Sequence, residues 1–237
     1  MSHPVRRRRV LWGVSIPFAC AASGIAWALL AAWRARESPA RLAARALLGG
    51  AAAFGLAVVG YDLAGFAGVD VRWERIAGGD LDALALAALV GLIEEGAKLS
   101  GILLVVERRS RPAAVIAAAV GVAAGFAALE GLLVLRGGVP YPAALARAVF
   151  GPVAHATLAV PLAFAVAAMG SGPRAWGLLL LALGAAAALH AGADLSLAMP
   201  DRGRMVHAAV LLGPALWVFA RSRRPVAIGA AARTAIR

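Results

Sequence analysis

Cysteine is nearly missing from this sequence: Cys20 is the only one in 237 residues. That excludes an intramolecular disulfide and makes a cysteine-based metal site or a Cys–His catalytic pair a poor reading. Acidic residues are also scarce, 12 Asp+Glu against 24 Lys+Arg, which leaves a formal net charge of +12. In a soluble chain that surplus would suggest nucleic acid. Aromatic residues make up only 6% of the chain, and no basic stretch is interleaved with them as a base-stacking surface requires. Nucleic acid is therefore set aside. Other signatures are absent as well. No linker is long enough to separate domains, no period of 20–50 residues repeats, and no H-E-x-x-H zinc-protease motif occurs. Ser100 and Ser196 have no evident base beside them in sequence.

What the chain has in excess is apolar sequence. It is 62% hydrophobic with a mean hydropathy of +0.82, where soluble domains are about 45–50% apolar. Seven apolar runs, each bounded by charge, Pro or Gly, cover residues 10–33, 46–69, 81–106, 112–135, 143–169, 175–199 and 205–221. Each is read as a membrane helix, since about 20 apolar residues span a bilayer core. The expected fold is all-α, a polytopic integral membrane bundle of about seven transmembrane helices. A single domain is expected over 1–237, with its motif-bearing core at 81–199 and a basic cytoplasmic tail at 222–237. The first run is too long for a signal-peptide h-region. Almost all arginines fall between or beyond the runs, where they set topology and touch anionic headgroups of the lipid bilayer. Their distribution favours the N-terminus outside, against the vote of the Arg6–Arg9 cluster. Gly121-x-x-x-Gly125 reads as a close-packing face between helices.

The polar exceptions are concentrated in four consecutive runs. The third, residues 81–106, carries Glu94, Glu95 and Lys98 near mid-depth, where one charge costs at least ~2.5 kcal/mol. Glu94 and Lys98 stand i,i+4 on one helical face and are expected to pair, with Glu95 rotated away. The fourth run carries Glu130, with Phe126 one turn earlier. Glu130 has no partner in its own helix, so it must be neutral, paired across helices or water-exposed. The fifth carries His155, and the sixth carries His190 and Asp194, again i,i+4. Each of these has a structural explanation when taken alone. Four such patches in four successive helices point to one shared site. Asp62 and His207 read as packing or interfacial residues.

Two or three carboxylates and two histidines in a wet intramembrane cavity suit amide hydrolysis. A carboxylate can activate water, and histidine can stabilise the oxyanion or protonate the leaving amine. The same set could ligate zinc through Glu130, His155 and His190, or it could work without any cofactor. Asp/Glu/His chains also form proton relays in ion-coupled transporters. Those commonly show repeated halves and broken helices, neither of which is visible in the sequence. A non-catalytic scaffold is the third reading.

Glu94-Glu95-x-x-Lys98, Gly125-Phe126-Ala127-x-x-Glu130, His155-Ala156 and His190-x-x-x-Asp194, in that order, resemble the PrsW family of intramembrane proteases, distant relatives of the CAAX-processing and bacteriocin-protection proteases. The similarity covers roughly residues 88–197. The CAAX-type relatives typically carry Arg at the Lys98 position and His at the Glu130 position, so Lys98 and Glu130 point to the PrsW branch. The resemblance implies a multi-pass protease of the bacterial inner membrane that cleaves a membrane-anchored protein such as an anti-sigma factor. It implies Glu94, Glu95, Glu130, His155, His190 and Asp194 as the active site, supported by Lys98 and Phe126. Members are often labelled metalloproteases, whereas their relatives are argued to be glutamate proteases. Two departures stand out: Gly131 replaces a frequent Asn, and the segment after His155 lacks the usual aromatic and Gly pattern.

Overall fold

The computed structural model describes residues 4–35, 38–78, 81–107, 110–136, 141–169 and 173–198. Among them the chain is helical, without strands: α1 (Pro4–Arg34), α2 (Pro39–Phe66), α3 (Trp73–Ile76), α4 (Leu81–Val105), α5 (Pro112–Arg136), α6 (Tyr141–Leu158), α7 (Val160–Ala168) and α8 (Pro173–Ala198). Proline opens α2, α5 and α8, at a position where its missing N–H has no intrahelical acceptor to lose. Gly68, at φ +81°, follows α2 in the left-handed region that glycine enters without a Cβ clash.

The chain is a polytopic membrane protein. Stretches of α1, α2, α5 and α8 (Ile16–Arg34, Pro39–Phe66, Pro112–Leu133 and Arg174–Leu197) are each long and apolar enough to cross a bilayer. α6 and α7 together supply another such stretch, bent by 42°. α4 is also long enough, 25 residues or about 37 Å, but Glu94, Glu95 and Lys98 lower its apolarity. Six of the seven runs thus correspond to helices. The seventh, 205–221, lies outside the described residues, as do His207 and the tail 222–237. One expectation is corrected: the fifth run is not continuous but breaks at Ala159. Pro161, at the start of α7, has no N–H for the Thr157 carbonyl and crowds it. A broken helix, which the sequence did not reveal, therefore sits one turn beyond His155.

α5 is the hub. Two-thirds of its span (67%) is buried, against 28–39% for the spans of α1, α2 and α8. Small residues let the neighbours approach. A Cβ on Gly50 would strike the Val122 carbonyl oxygen and lie 2.8 Å from the Phe126 nitrogen, so α2 and α5 touch backbone to backbone. Gly125 and Gly121 meet Leu47 and Ala46 of α2, which makes the Gly121-x-x-x-Gly125 face an internal packing face. On the other side of the bundle, a Cβ on Gly91 of α4 would stand 2.5 Å from the Ala187 oxygen of α8. These close approaches bring the polar residues of α4, α5, α6 and α8 to one point.

Candidate active site

α4 supplies the centre. Glu94 is 5% exposed, and Glu95 and Lys98 are fully buried. The Lys98 ammonium lies 2.6 Å from Glu95 Oε1 and 2.8 Å from His155 Nδ1, but 3.6 Å from Glu94 Oε2. The expected partner is therefore exchanged: Lys98 bonds Glu95 at i,i+3 and stands off from Glu94 at i,i+4. Both spacings place side chains on one face, and contacts from other helices decide between them. Tyr61 of α2 draws Glu94 aside, its phenol donating to Glu94 Oε1 at 2.7 Å. Phe126 is buried under the ammonium, with Lys98 Nζ 4.6 Å from its ring centroid, a cation–π contact. The same ring packs at 5.6 Å on His155 and at 5.8 Å on Phe54.

Donor and acceptor chemistry fixes one histidine tautomer. An ammonium only donates, so His155 Nδ1 accepts from Lys98 and its proton resides on Nε2. That N–H points to Glu130 Oε2 at 2.8 Å. Glu130, unpartnered within its own helix, is thus paired across the bundle: its second oxygen, Oε1, accepts from the guanidinium of Arg147, two turns before His155 on α6. His190 Nδ1 lies 2.8 Å from Glu95 Oε1, an acceptor, and so donates to it. Asp194 does not hold this ring as a bonded partner, since its Oδ2 is 3.7 Å from His190 Nε2. Glu95 orients His190.

Two carboxylate oxygens are left over. Glu94 Oε2 is buried without a hydrogen-bond partner, 3.6 Å from His190 Nε2 and 3.9 Å from His155 Nδ1. The gap from Glu94 to His190 is too long for a direct hydrogen bond and too short for a water on the line between them, so a water that touches both lies beside the pair. Glu95 Oε2 is likewise without a bonded partner. The structure thus brings together Glu94, Glu95, Lys98, Glu130, His155, His190 and Asp194, with Phe126 beneath them. Sequence reasoning missed Tyr61 and Arg147. The signal for Arg147 was present, because an arginine inside an apolar run and an unpartnered Glu130 each required an opposite charge. Tyr61, beside the exposed Asp62, carried no signal of its own. Gly131 also finds a reason: a Cβ there would lie 2.9 Å from Cys20 Sγ, so an Asn would collide with α1.

Fold and site together define an integral membrane protein with a charged, buried centre of hydrolytic residue types. The PrsW family intramembrane metalloprotease profile matches residues 37–220, more than half of the chain, and the protein belongs to that family of intramembrane proteases. Comparison with curated proteins found no match, and neither did comparison with solved structures.

The family description implies a metal, and the donor set here does not fit one. Among the described residues no three His, Cys, Asp or Glu side chains are grouped as a metal would need. Of the trio suggested by the sequence, His155 spends Nε2 on Glu130 and Nδ1 on Lys98, so neither nitrogen is free to ligate. A fixed cation, Lys98, already stands among the carboxylates.

Proposed function

We propose that the protein hydrolyses a peptide bond of a membrane-anchored protein with Glu94 as the water-activating base. The observation that carries this is the buried, unpartnered Glu94 Oε2 facing His190 Nε2 at 3.6 Å. A water beside the pair gives one proton to Glu94 as its oxygen attacks the scissile carbonyl carbon. His190, protonated on both ring nitrogens and held through Nδ1–H by Glu95, offers Nε2–H to the developing oxyanion. Glu94 then delivers the proton to the leaving amine nitrogen as the C–N bond breaks, which completes the addition of water. Glu95 and Lys98 neutralise each other and fix the neighbouring rings. Glu130 and His155 pair across α5 and α6, and Asp194 stands 3.7 Å from His190 Nε2. The reading is a metal-free, glutamate-type reaction. An anti-sigma factor is a fitting substrate and the bacterial inner membrane a fitting location, both carried by the family. With the N-terminus outside, the ends of α5 and α8 that bear Glu130 and Asp194 face outward and admit a substrate from that side.

The test compares new protein N-termini in membranes holding wild-type chain or Glu94→Gln, with and without a chelator. A terminus made only by wild type, and still made under chelator, is the expected result. Identical termini in both membranes would sink the assignment of Glu94, and loss of the terminus under chelator would sink the metal-free reading.

A further inference from the structure

Arg147 is the one charged side chain at this centre that the hydrolytic scheme leaves without a task. It lies on α6, a helix whose neighbouring Leu145, Val149, Phe150 and Val153 are exposed as lipid-facing residues are. Its own side chain is 41% exposed, whereas that of Glu130 is only 17% exposed. A long cationic side chain on such a helix would ordinarily extend to the headgroups. This one turns instead to the α5–α6 interface and binds Glu130 Oε1.

The geometry points to Arg147 as a positioning residue for hydrolysis: together with His155 it clamps the Glu130 carboxylate, one oxygen to each, and thereby holds the His155 ring. The chain of contacts is continuous. Arg147 fixes Glu130 Oε1, Glu130 Oε2 accepts from His155 Nε2 at 2.8 Å, and His155 Nδ1 accepts from Lys98 at 2.8 Å. Lys98 in turn bonds Glu95 Oε1 at 2.6 Å, the same oxygen that orients His190 at 2.8 Å. Without Arg147, Glu130 keeps one partner instead of two and is free to rotate about its terminal bond. His155, whose tautomer Lys98 still sets, then loses the fixed acceptor that shields its Nε2–H and holds the ring in place. α6 is the element on which this matters, because its break at Ala159 leaves His155 on the last turn of a short half-helix. With His155–Glu130, the pair gives this half-helix two polar ties to α5.

This inference rests on the hydrolytic reading, and its test keeps the two apart. Full-length protein labelled with 15N-histidine is placed in lipid nanodiscs. The His155 ring signals are followed in wild type, Arg147→Met, Arg147→Gln and Arg147→Lys, and turnover of fluorescein-labelled casein is measured beside them. Wild type and Arg147→Lys are expected to show an Nε2–H proton protected from solvent exchange, and Arg147→Met to lose it. The kcat of Arg147→Met falls at least about tenfold, as expected when a reacting group loses its orientation, while KM moves less than about twofold. Should Arg147→Met fail to assemble, Arg147→Gln, which keeps a donor without the charge, carries the comparison. A protected ring proton with unchanged kcat in both uncharged variants overturns the clamp. So does a raised KM at constant kcat, which would put Arg147 against the substrate instead. Wild-type turnover by Glu94→Gln overturns the hydrolytic reading, whatever Arg147 does to the ring.

Discussion

Tyr61→Phe is the sharpest probe of how Glu94 is held, because it removes one oxygen and nothing else. The ring remains packed among the partly buried residues that line both the α2–α4–α5 core and the smaller cluster around Ile76 and Val90, so little volume is lost. What disappears is the 2.7 Å bond to Glu94 Oε1. A hydrogen bond to a charged group contributes about 1.5–3 kcal/mol. Glu94 Oε2 already lacks a bonded partner, so the variant leaves the whole carboxylate without a hydrogen bond, with Lys98 and His190 each standing off at 3.6 Å. The carboxylate is then free to swing toward Lys98 and close the gap to the ammonium, away from His190. If the full effect falls on the transition state, turnover drops by about 10- to 150-fold. The assay is the rate at which the wild-type-specific product terminus appears in membranes, at matched protein level and with thermal melting in detergent as the fold control. A rate within about twofold of wild type, with unchanged melting, would refute the idea that Tyr61 orients the base.

Other outcomes follow from the same contacts. Glu94→Gln and His190→Ala should each abolish cleavage while the protein remains folded in membrane, checked by product sequencing and detergent-resistant assembly. Lys98→Met should fail to assemble, since it strands Glu95 fully buried beside Glu94; breaking a buried pair from one side costs about 3–5 kcal/mol, and yield and melting temperature report it. Gly91→Ala should push α4 from α8 at Ala187, with an overpacking cost of about 1–3 kcal/mol and a loss of turnover larger than that of Gly96→Ala, whose Cβ would meet open space.

Much of this centre was readable in advance because burial in lipid makes charge conspicuous. Glu94, Glu95, Lys98, Glu130, His155, His190 and Asp194 each interrupt a run that is otherwise apolar, and the motif order carried the family. The sequence did not carry the pairing. Spacings of three and four residues both put a carboxylate beside Lys98, and only Tyr61, on a distant helix, decided for Glu95. Arg147 resembled one more boundary arginine, because a sum over loop charges does not distinguish a residue near a helix end from one turned inward. The break at Ala159 was hidden for a similar reason: Val160-Pro161-Leu162 is as apolar as its surroundings, and proline alone does not say whether a membrane helix bends or merely loses a bond.

The charged middle of α4 also constrains how the protein is made. When α4 leaves the ribosome, Tyr61 of α2 has already been synthesised, but His155 and His190 have not. The only neutralisation then available to Lys98 is within its own helix. An isolated segment bearing two glutamates and a lysine near its centre meets a penalty of about 2.5–3.5 kcal/mol for each charge at the translocon, offset in part by the Glu95–Lys98 pair. α4 is therefore retained by its later neighbours rather than by its own hydrophobicity. A nascent chain stopped just after Val105 should leave it unsettled in the membrane, and the completed centre should lock it in place. The residues assigned to cutting other membrane proteins are, on this account, also those that hold the cutter in its own membrane.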